Sequence, residues 1–252
     1  MKNKKNIFLF IIALLFVTTV ITFAQKKSIT ADDKSFLLGF LPKIIEVNNG
    51  ILSDRNNIIM LKKQFTNTVK LSNEEEVFLS KISAKYGVNS FKLDDKANKD
   101  VLQNEFNDLL IRVDIIPTKL VMAQAICESA WGKSHFAKNA NNYFGVHCYH
   151  KGCGLVPLGD KNAGFEVKSY PTVLAGITDY IHILNTYSAY KELRNLRARL
   201  RKDNQPLNPL SLAEGLSRYS QKGEEYVKIL QSLINNYIPA NIQEFIKNNK
   251  TN

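Results

Sequence analysis

The chain has 252 residues, 44% of them hydrophobic, with 34 Lys and Arg against 23 Asp and Glu and a formal net charge of +11. That length holds one good-sized domain with an appendage, or two small ones, and the lack of repeats or biased tracts excludes a solenoid or a low-complexity chain. The positive charge suits anionic surfaces such as cell-wall polymers, lipopolysaccharide, membranes or nucleic acid, but surplus lysine is common on any solvated surface, so charge selects none of them.

The first segment reads as a targeting sequence. Lys2, Lys4 and Lys5 precede an unbroken apolar run from Ile7 to Val17, and Thr22-Phe23-Ala24 offers small residues for cleavage before Gln25. This is the layout of a secretory signal over residues 1–24. Its removal takes away three lysines and lowers the net charge from +11 to +8. The alternative is an uncleaved inner-membrane anchor, because Ile7 to Ala24 lies at the lower limit for spanning a bilayer. Either reading exports the remainder to the periplasm or beyond.

From Ala31 to Arg112 apolar residues recur at helical intervals. Phe36, Leu37, Phe40, Leu41, Ile44 and Ile45 suggest one helix, and Ile58, Ile59, Leu61 and Leu71 a second segment. Ser72 and Glu75 form a capping box before Val77, Phe78 and Ile82, and Lys85-Tyr86-Gly87 is the matching stop. Leu93 to Lys99 is polar enough for a linker. Val101 to Val113 forms a further amphipathic helix, so residues 25–113 are expected to be a helical N-terminal region.

Pro117-Thr118 opens an apolar helix that carries a single carboxylate, Glu128, close to its end at Gly132. Burial and the negative end of the helix dipole both disfavour a charged carboxylate there. A carboxyl kept protonated near neutral pH is what a glycosidase needs as its general acid. The competing expectation is a Glu that reaches out to solvent.

Periodicity vanishes from Asn139 to Tyr170, leaving a long glycine-rich loop in which Gly164 to Tyr170 alternates like a short strand. Cys148 and Cys153 frame a short segment that an oxidising compartment allows a disulfide to close. Their spacing with His147 and His150 does not match the separated ligand pairs of a zinc site. Helices resume at Pro171, at Tyr190 to Arg201, at Leu210 to Tyr219 and at Tyr226 to Tyr237. Arg194, Arg197, Arg199 and Arg201 surround the Leu193, Leu196 and Leu200 stripe and are expected on a solvated face. Residues 239–252 read as a polar tail.

Several ordered motifs carry a resemblance. They are Ala123-Gln124-Ala125-Ile126-Cys127-Glu128-Ser129-Ala130-Trp131-Gly132-Lys133-Ser134, Asn141-Asn142-Tyr143-Phe144-Gly145, Cys148 to Gly154, Tyr170-Pro171-Thr172 with Asp179-Tyr180, and Leu216-Ser217-Arg218-Tyr219-Ser220. Together they resemble the bacterial peptidoglycan glucosaminidases of glycoside hydrolase family 73, in particular the Bax branch, described as mannosyl-glycoprotein endo-β-N-acetylglucosaminidase-like. The resemblance covers about Asp114 to Tyr237, with the domain placed at 114–238. It implies a mainly α, lysozyme-like helical domain with a small β-hairpin or loop insert, preceded by the extra helical region.

The resemblance also implies roles. Glu128 matches the general acid, and Tyr219 matches a tyrosine facing it that binds water or the acetamido group. Glu166 is the candidate second carboxylate, with Asp160 as its competitor. If neither serves, the substrate's 2-acetamido oxygen is the nucleophile. Asn142, Tyr143, Phe144, Gly145 and Trp131 are expected along a sugar groove, although Phe144 fits a core position equally well and Asn142 a turn. His135 is expected to be structural. The implied activity is cleavage of the β-1,4 bond after N-acetylglucosamine in peptidoglycan glycan strands, which an exported bacterial protein meets before any glycoprotein. No cofactor, metal or nucleic acid is expected, and a monomer at the cell-envelope surface is. Rival readings are a lytic transglycosylase and a non-catalytic wall-binding protein.

Overall fold

A computed structural model of the protein describes residues 29–68, 70–88, 99–158 and 163–249. The expected signal segment, most of the expected linker and Asp160 lie outside the described residues. Among the described residues, no helix is long and apolar enough to cross a membrane.

Helix α1 runs unbroken from Ala31 to Thr68, through Pro42. The two helical segments expected here are one continuous helix. Leu37, Ile44, Ile51, Ile58 and Phe65 are buried at seven-residue intervals, so one stripe faces the core along the whole helix. Two polar residues sit within that stripe and hide it from a hydropathy reading. Asn48 donates to Ile116 O at 2.8 Å, and Arg55 donates to Leu110 O and, at 2.9 Å, to Val113 O.

Helix α2 (Asn73–Tyr86) begins at the expected capping box, with Ser72 and Glu75 satisfying each other's backbone amides, and ends at Gly87 in the left-handed conformation. Helix α3 (Lys99–Arg112) leads to α4 (Thr118–Ser129), whose residues Leu120 to Ile126 are buried on every side. This central helix packs against α1 and against α9 (Glu224–Asn236). Helix α5 (His135–Ala140) is followed by a small antiparallel sheet in the order β1-β3-β2, with β1 at His147–Cys148, β2 at Gly154–Leu155 and β3 at Glu166–Lys168. Cys148 pairs with Glu166, and Leu155 with Val167.

Helix α6 (Val173–Thr186) is capped by Thr172 and followed by a 3-10 turn at Ser188–Tyr190 and by α7 (Lys191–Lys202). Helix α8 (Pro209–Ala213) is short and tightens into a 3-10 turn at Glu214–Leu216, so Tyr219 lies beyond the helix expected to contain it. The expected polar tail contains α10 (Ile242–Asn249), which docks on α1 through buried Ile246. Its apolar residues are few but share one face.

A single hydrophobic core runs from Leu37 to Ile246. The N-terminal helices and the Glu128 region therefore bury the same surface. The solvated-arginine expectation fails for Arg197, which is fully buried, and for Arg194, which is 4% exposed. Arg197 Nη1 donates to Asp114 O, Ile115 O and Asn185 Oδ1, and its Nη2 to Ile111 O. The Asp114 carboxylate also accepts from Arg201 Nε at 2.9 Å and Nη2 at 2.7 Å, and lies 3.4 Å from Arg55. The carbonyl-rich junction between α3 and α4 needs buried donors, and guanidinium supplies several in one plane.

Candidate active site

Glu128 stands one residue before the end of α4. The chain leaves that helix through three consecutive left-handed residues, Ala130, Trp131 and Gly132, at φ 50, 60 and 73°. Left-handed backbone costs a non-glycine residue about 1–2 kcal/mol, so the turn must be held by its surroundings. Ser129 holds it by accepting from Gly132 N at 2.8 Å while donating to Ala125 O. A Cβ at Gly132 would also meet the Phe36 ring at 2.8 Å, so this turn packs directly on α1.

The carboxyl opens onto a pocket of about 510 Å³. Phe144, Gly145, Val146 and His147 form one wall, and Tyr180, Tyr190 and Tyr219 another. Tyr149 and Tyr187 stand at the rim, each more than half exposed. No residue of α1, α2 or α3 lines the pocket, and α1 packs against the central helix that carries Glu128.

Glu128 keeps an exposed face, yet its carboxyl lies among phenol rings. Burial of that carboxyl raises its pKa, and a hydrogen bond with the Tyr226 phenol works in the opposite direction without cancelling it. Gln124, buried in the same helix, donates to the Tyr226 hydroxyl at 3.3 Å. Burial, reinforced by the Glu128 charge, pushes the pKa values of Tyr219, Tyr190 and Tyr226 upward. These phenols are therefore neutral hydrogen-bonding groups. Tyr219 stacks on Tyr226 at 5.4 Å and meets Tyr180 edge-on at 6.2 Å. Its hydroxyl donates to Phe144 O at 2.6 Å, which leaves the oxygen to accept from a ligand. The neighbouring Cys127 thiol is pushed up to about 11 by burial and by Glu128, so it is inert as a nucleophile at neutral pH.

The sequence-expected residues separate into two groups. Glu128, Tyr219, Phe144 and Gly145 meet at the pocket. Phe144 is both core and wall: it is 2% exposed and stacks on Tyr180 at 3.8 Å. Asn142, Tyr143 and Trp131 do not line the pocket, contrary to the expectation for them. Asn142 is buried and holds the loop, donating to Val146 O and Lys168 O and accepting from Val146 N. Tyr143 packs on Phe40, and Trp131 on Phe36 and Tyr237.

Glu166, the candidate second carboxylate, lies in β3 as expected but does not line this pocket. Its two carboxylate oxygens accept from Gly152 N at 2.9 Å and Gly154 N at 2.8 Å, and those bonds hold its pKa below the usual carboxylate range. It faces a separate concavity with His150, Lys151 and Phe165. Cys148 and Cys153 form the expected disulfide, so their sulfurs, though close to Glu166, are not available to a metal. His135 hydrogen-bonds with Asn139 on the surface, away from the pocket. Tyr190 and His147 on the pocket wall, and Tyr226 bonded to Glu128, carry no motif in the sequence. Tyrosines on several unconnected elements converge here, and helical periodicity alone assigns them to packing.

Among the described residues lining the pocket, Glu128 is the only carboxylate. A carboxyl whose pKa is raised by burial, neutral phenols and an open aromatic wall suit a bulky ligand with polar edges. Comparison with known proteins bears on which ligand. The family described as mannosyl-glycoprotein endo-beta-N-acetylglucosaminidase matches residues 103–238, which include every residue lining the pocket. The chain is similar to Protein bax of Escherichia coli (strain K12), 34% identical over 218 residues that cover 85% of this chain and 70% of that protein. No solved structure matches.

Proposed function

This chain belongs to the glucosaminidase family, and from that premise we propose that it is an exported endo-β-N-acetylglucosaminidase acting on peptidoglycan. The observation that carries this reading is Glu128, a carboxyl with a raised pKa on the wall of an open, phenol-lined pocket. Protonated Glu128 donates to the glycosidic oxygen as the bond from the anomeric carbon breaks. Positive charge then develops on the sugar ring, and the ionised Glu128 stabilises it.

The attacking group follows from what is near. Glu166 is committed to backbone amides in another concavity and receives no step. The substrate's own 2-acetamido oxygen attacks the anomeric carbon instead, and water then opens the cyclic intermediate. Tyr219, whose proton is already given to Phe144 O, accepts from the acetamido N–H or the water.

The lack of a second described carboxylate in the pocket also favours a second reading, a lytic transglycosylase, in which a sugar hydroxyl replaces water. Mass spectrometry of products from purified sacculi separates the two. Reducing N-acetylglucosamine ends support the proposal, and anhydro ends on muramic acid support the second reading. Glu128→Gln should still bind sacculi and release no soluble fragments. Near-wild-type release would sink both, and sacculus binding without release by the native protein would identify a wall-binding protein.

A further inference from the structure

Two arginines from other helices cap the C-terminal end of α6. Arg112 of α3 donates through Nη1 to Thr186 O at 3.0 Å and Tyr86 O at 3.1 Å. Arg194 of α7 donates through Nη1 to Leu184 O at 3.0 Å and Tyr187 O at 2.8 Å. The partial negative charge of those carbonyls accounts for one nitrogen of each guanidinium. Both side chains also line an open cavity, where their remaining nitrogens can reach a ligand.

Arg55, Arg197 and Arg201 share Asp114, whereas among the described residues no carboxylate pairs with Arg112 or Arg194. Arg194 is 4% exposed and therefore poorly hydrated. Burial and the repulsion of Arg112 bring its pKa down to about 10. A charge in this position is stabilised by any anion that reaches it.

Arg112, Arg194 and exposed Lys191 line one open cavity of about 420 Å³, with Thr186, Ser188 and Asn195 adding polar atoms. Asp108 also lines it and makes no described ion pair with the three cations. The turn Ser188–Tyr190 separates this cavity from the Glu128 pocket: Tyr187 and Tyr190 face the pocket, while Ser188 and Lys191 face the cavity.

We propose that this cavity is an oxyanion subsite that takes a carboxylate of the peptide stem carried by the glycan strand. The assignment of the stem rests on the peptidoglycan reading; the anion chemistry does not. The cavity lies one turn, Ser188–Tyr190, from the pocket that the glycan strand would occupy, close enough for a substituent of that strand to reach it. The planar guanidinium fork matches a carboxylate, and it matches phosphate equally.

The test is calorimetric titration of the full chain with a disaccharide-tetrapeptide, the same disaccharide without peptide, and inorganic phosphate. The stem-bearing ligand should bind about tenfold tighter than the bare sugar, the worth of one charge-assisted hydrogen bond. Lys191→Glu places an internal carboxylate beside the two guanidiniums. It should remove that preference, leave the bare-sugar affinity unchanged and keep Tm at or above the native value. If this variant does not fold, Asn195→Asp should give the same result. No preference in the native protein, or an intact preference in a folded variant, overturns the subsite. Competition by phosphate as strong as by the stem peptide overturns the stem assignment. A failure of the glycosidase reading would appear separately, as no turnover of either stem-bearing or denuded strands.

Discussion

The Tyr219 hydroxyl donates to the Phe144 carbonyl at 2.6 Å, joining the turn after α8 to the loop after α5 across 75 residues of sequence. The bond fixes the pocket wall and decides what Tyr219 can do there. A phenol whose proton is committed offers a ligand only an acceptor. Tyr219→Phe removes that acceptor and leaves Phe144 O without its donor. The expected result is a fall in kcat of roughly tenfold to a hundredfold, the rate equivalent of one buried hydrogen bond, with folding weakened by about 1 kcal/mol. Steady-state kinetics and a thermal melt on the same sample read the two effects separately.

Tyr226 lowers the pKa of Glu128, while burial raises it further. A general acid works only while protonated, so activity declines as pH rises through its pKa. Tyr226→Phe removes the bond that favours the carboxylate and should move the alkaline limb of the kcat/KM profile to higher pH. A shift to lower pH would contradict the assignment of Glu128 as the acid.

The same raised pKa carries a stability sign. Folding favours the protonated form of Glu128, so its contribution is fully present below the unfolded pKa of a glutamate and is lost as pH rises through the folded value. Glu128→Gln imitates the protonated form at every pH. The variant should melt at a higher temperature than the native protein at pH 7, and the difference should shrink toward acidic pH.

Burial opposes ionisation of Asp114, but the Arg201 hydrogen bond and the charges of Arg197 and Arg55 hold its pKa below the usual carboxylate range. Its stabilising contribution is present above the unfolded pKa and is lost as pH falls through the folded one. Asp114→Asn leaves buried guanidiniums without their counter-ion and should cost about 3–5 kcal/mol. Urea midpoints at neutral pH measure this loss. A change within a few tenths of a kcal/mol would show that the backbone carbonyls alone hold the cluster.

The disulfide and Glu166 both tie down the segment between β1 and β2. The disulfide closes a short loop, so replacing both cysteines by serine should cost about 2 kcal/mol on chain-entropy grounds. Glu166→Ala should make amides 149–154 exchange faster and leave turnover of short oligomers largely intact. A loss of kcat as deep as that of Glu128→Gln would instead make Glu166 catalytic.

Features with a local cause are legible in the sequence. Ser72 and Glu75 begin α2 because both partners of the cap lie within one turn, and Gly87 ends it because only there does the backbone become left-handed. Glu128 stood out because a carboxylate on an otherwise apolar helix is a local anomaly. Helix α1 was divided because Asn48 and Arg55 interrupt its stripe, and their partners, Ile116 O, Leu110 O and Val113 O, are more than fifty residues away. The fate of Arg197 was hidden for the same reason. An amphipathic pattern with arginines on the other face looks solvated until Asp114 and the α3–α4 junction are placed beside it.

The helical character of the chain, the lone carboxylate on its central helix and the cysteine pair that closes the loop are all legible from neighbours along the chain. Which aromatic rings surround Glu128, that Asn142 holds a loop instead of lining the pocket, and that Glu166 binds backbone amides emerge only once the chain is folded. These outcomes depend on hydrogen bonds and burial between segments far apart in sequence. Such contacts are selected by how the whole core packs, and no single segment encodes them.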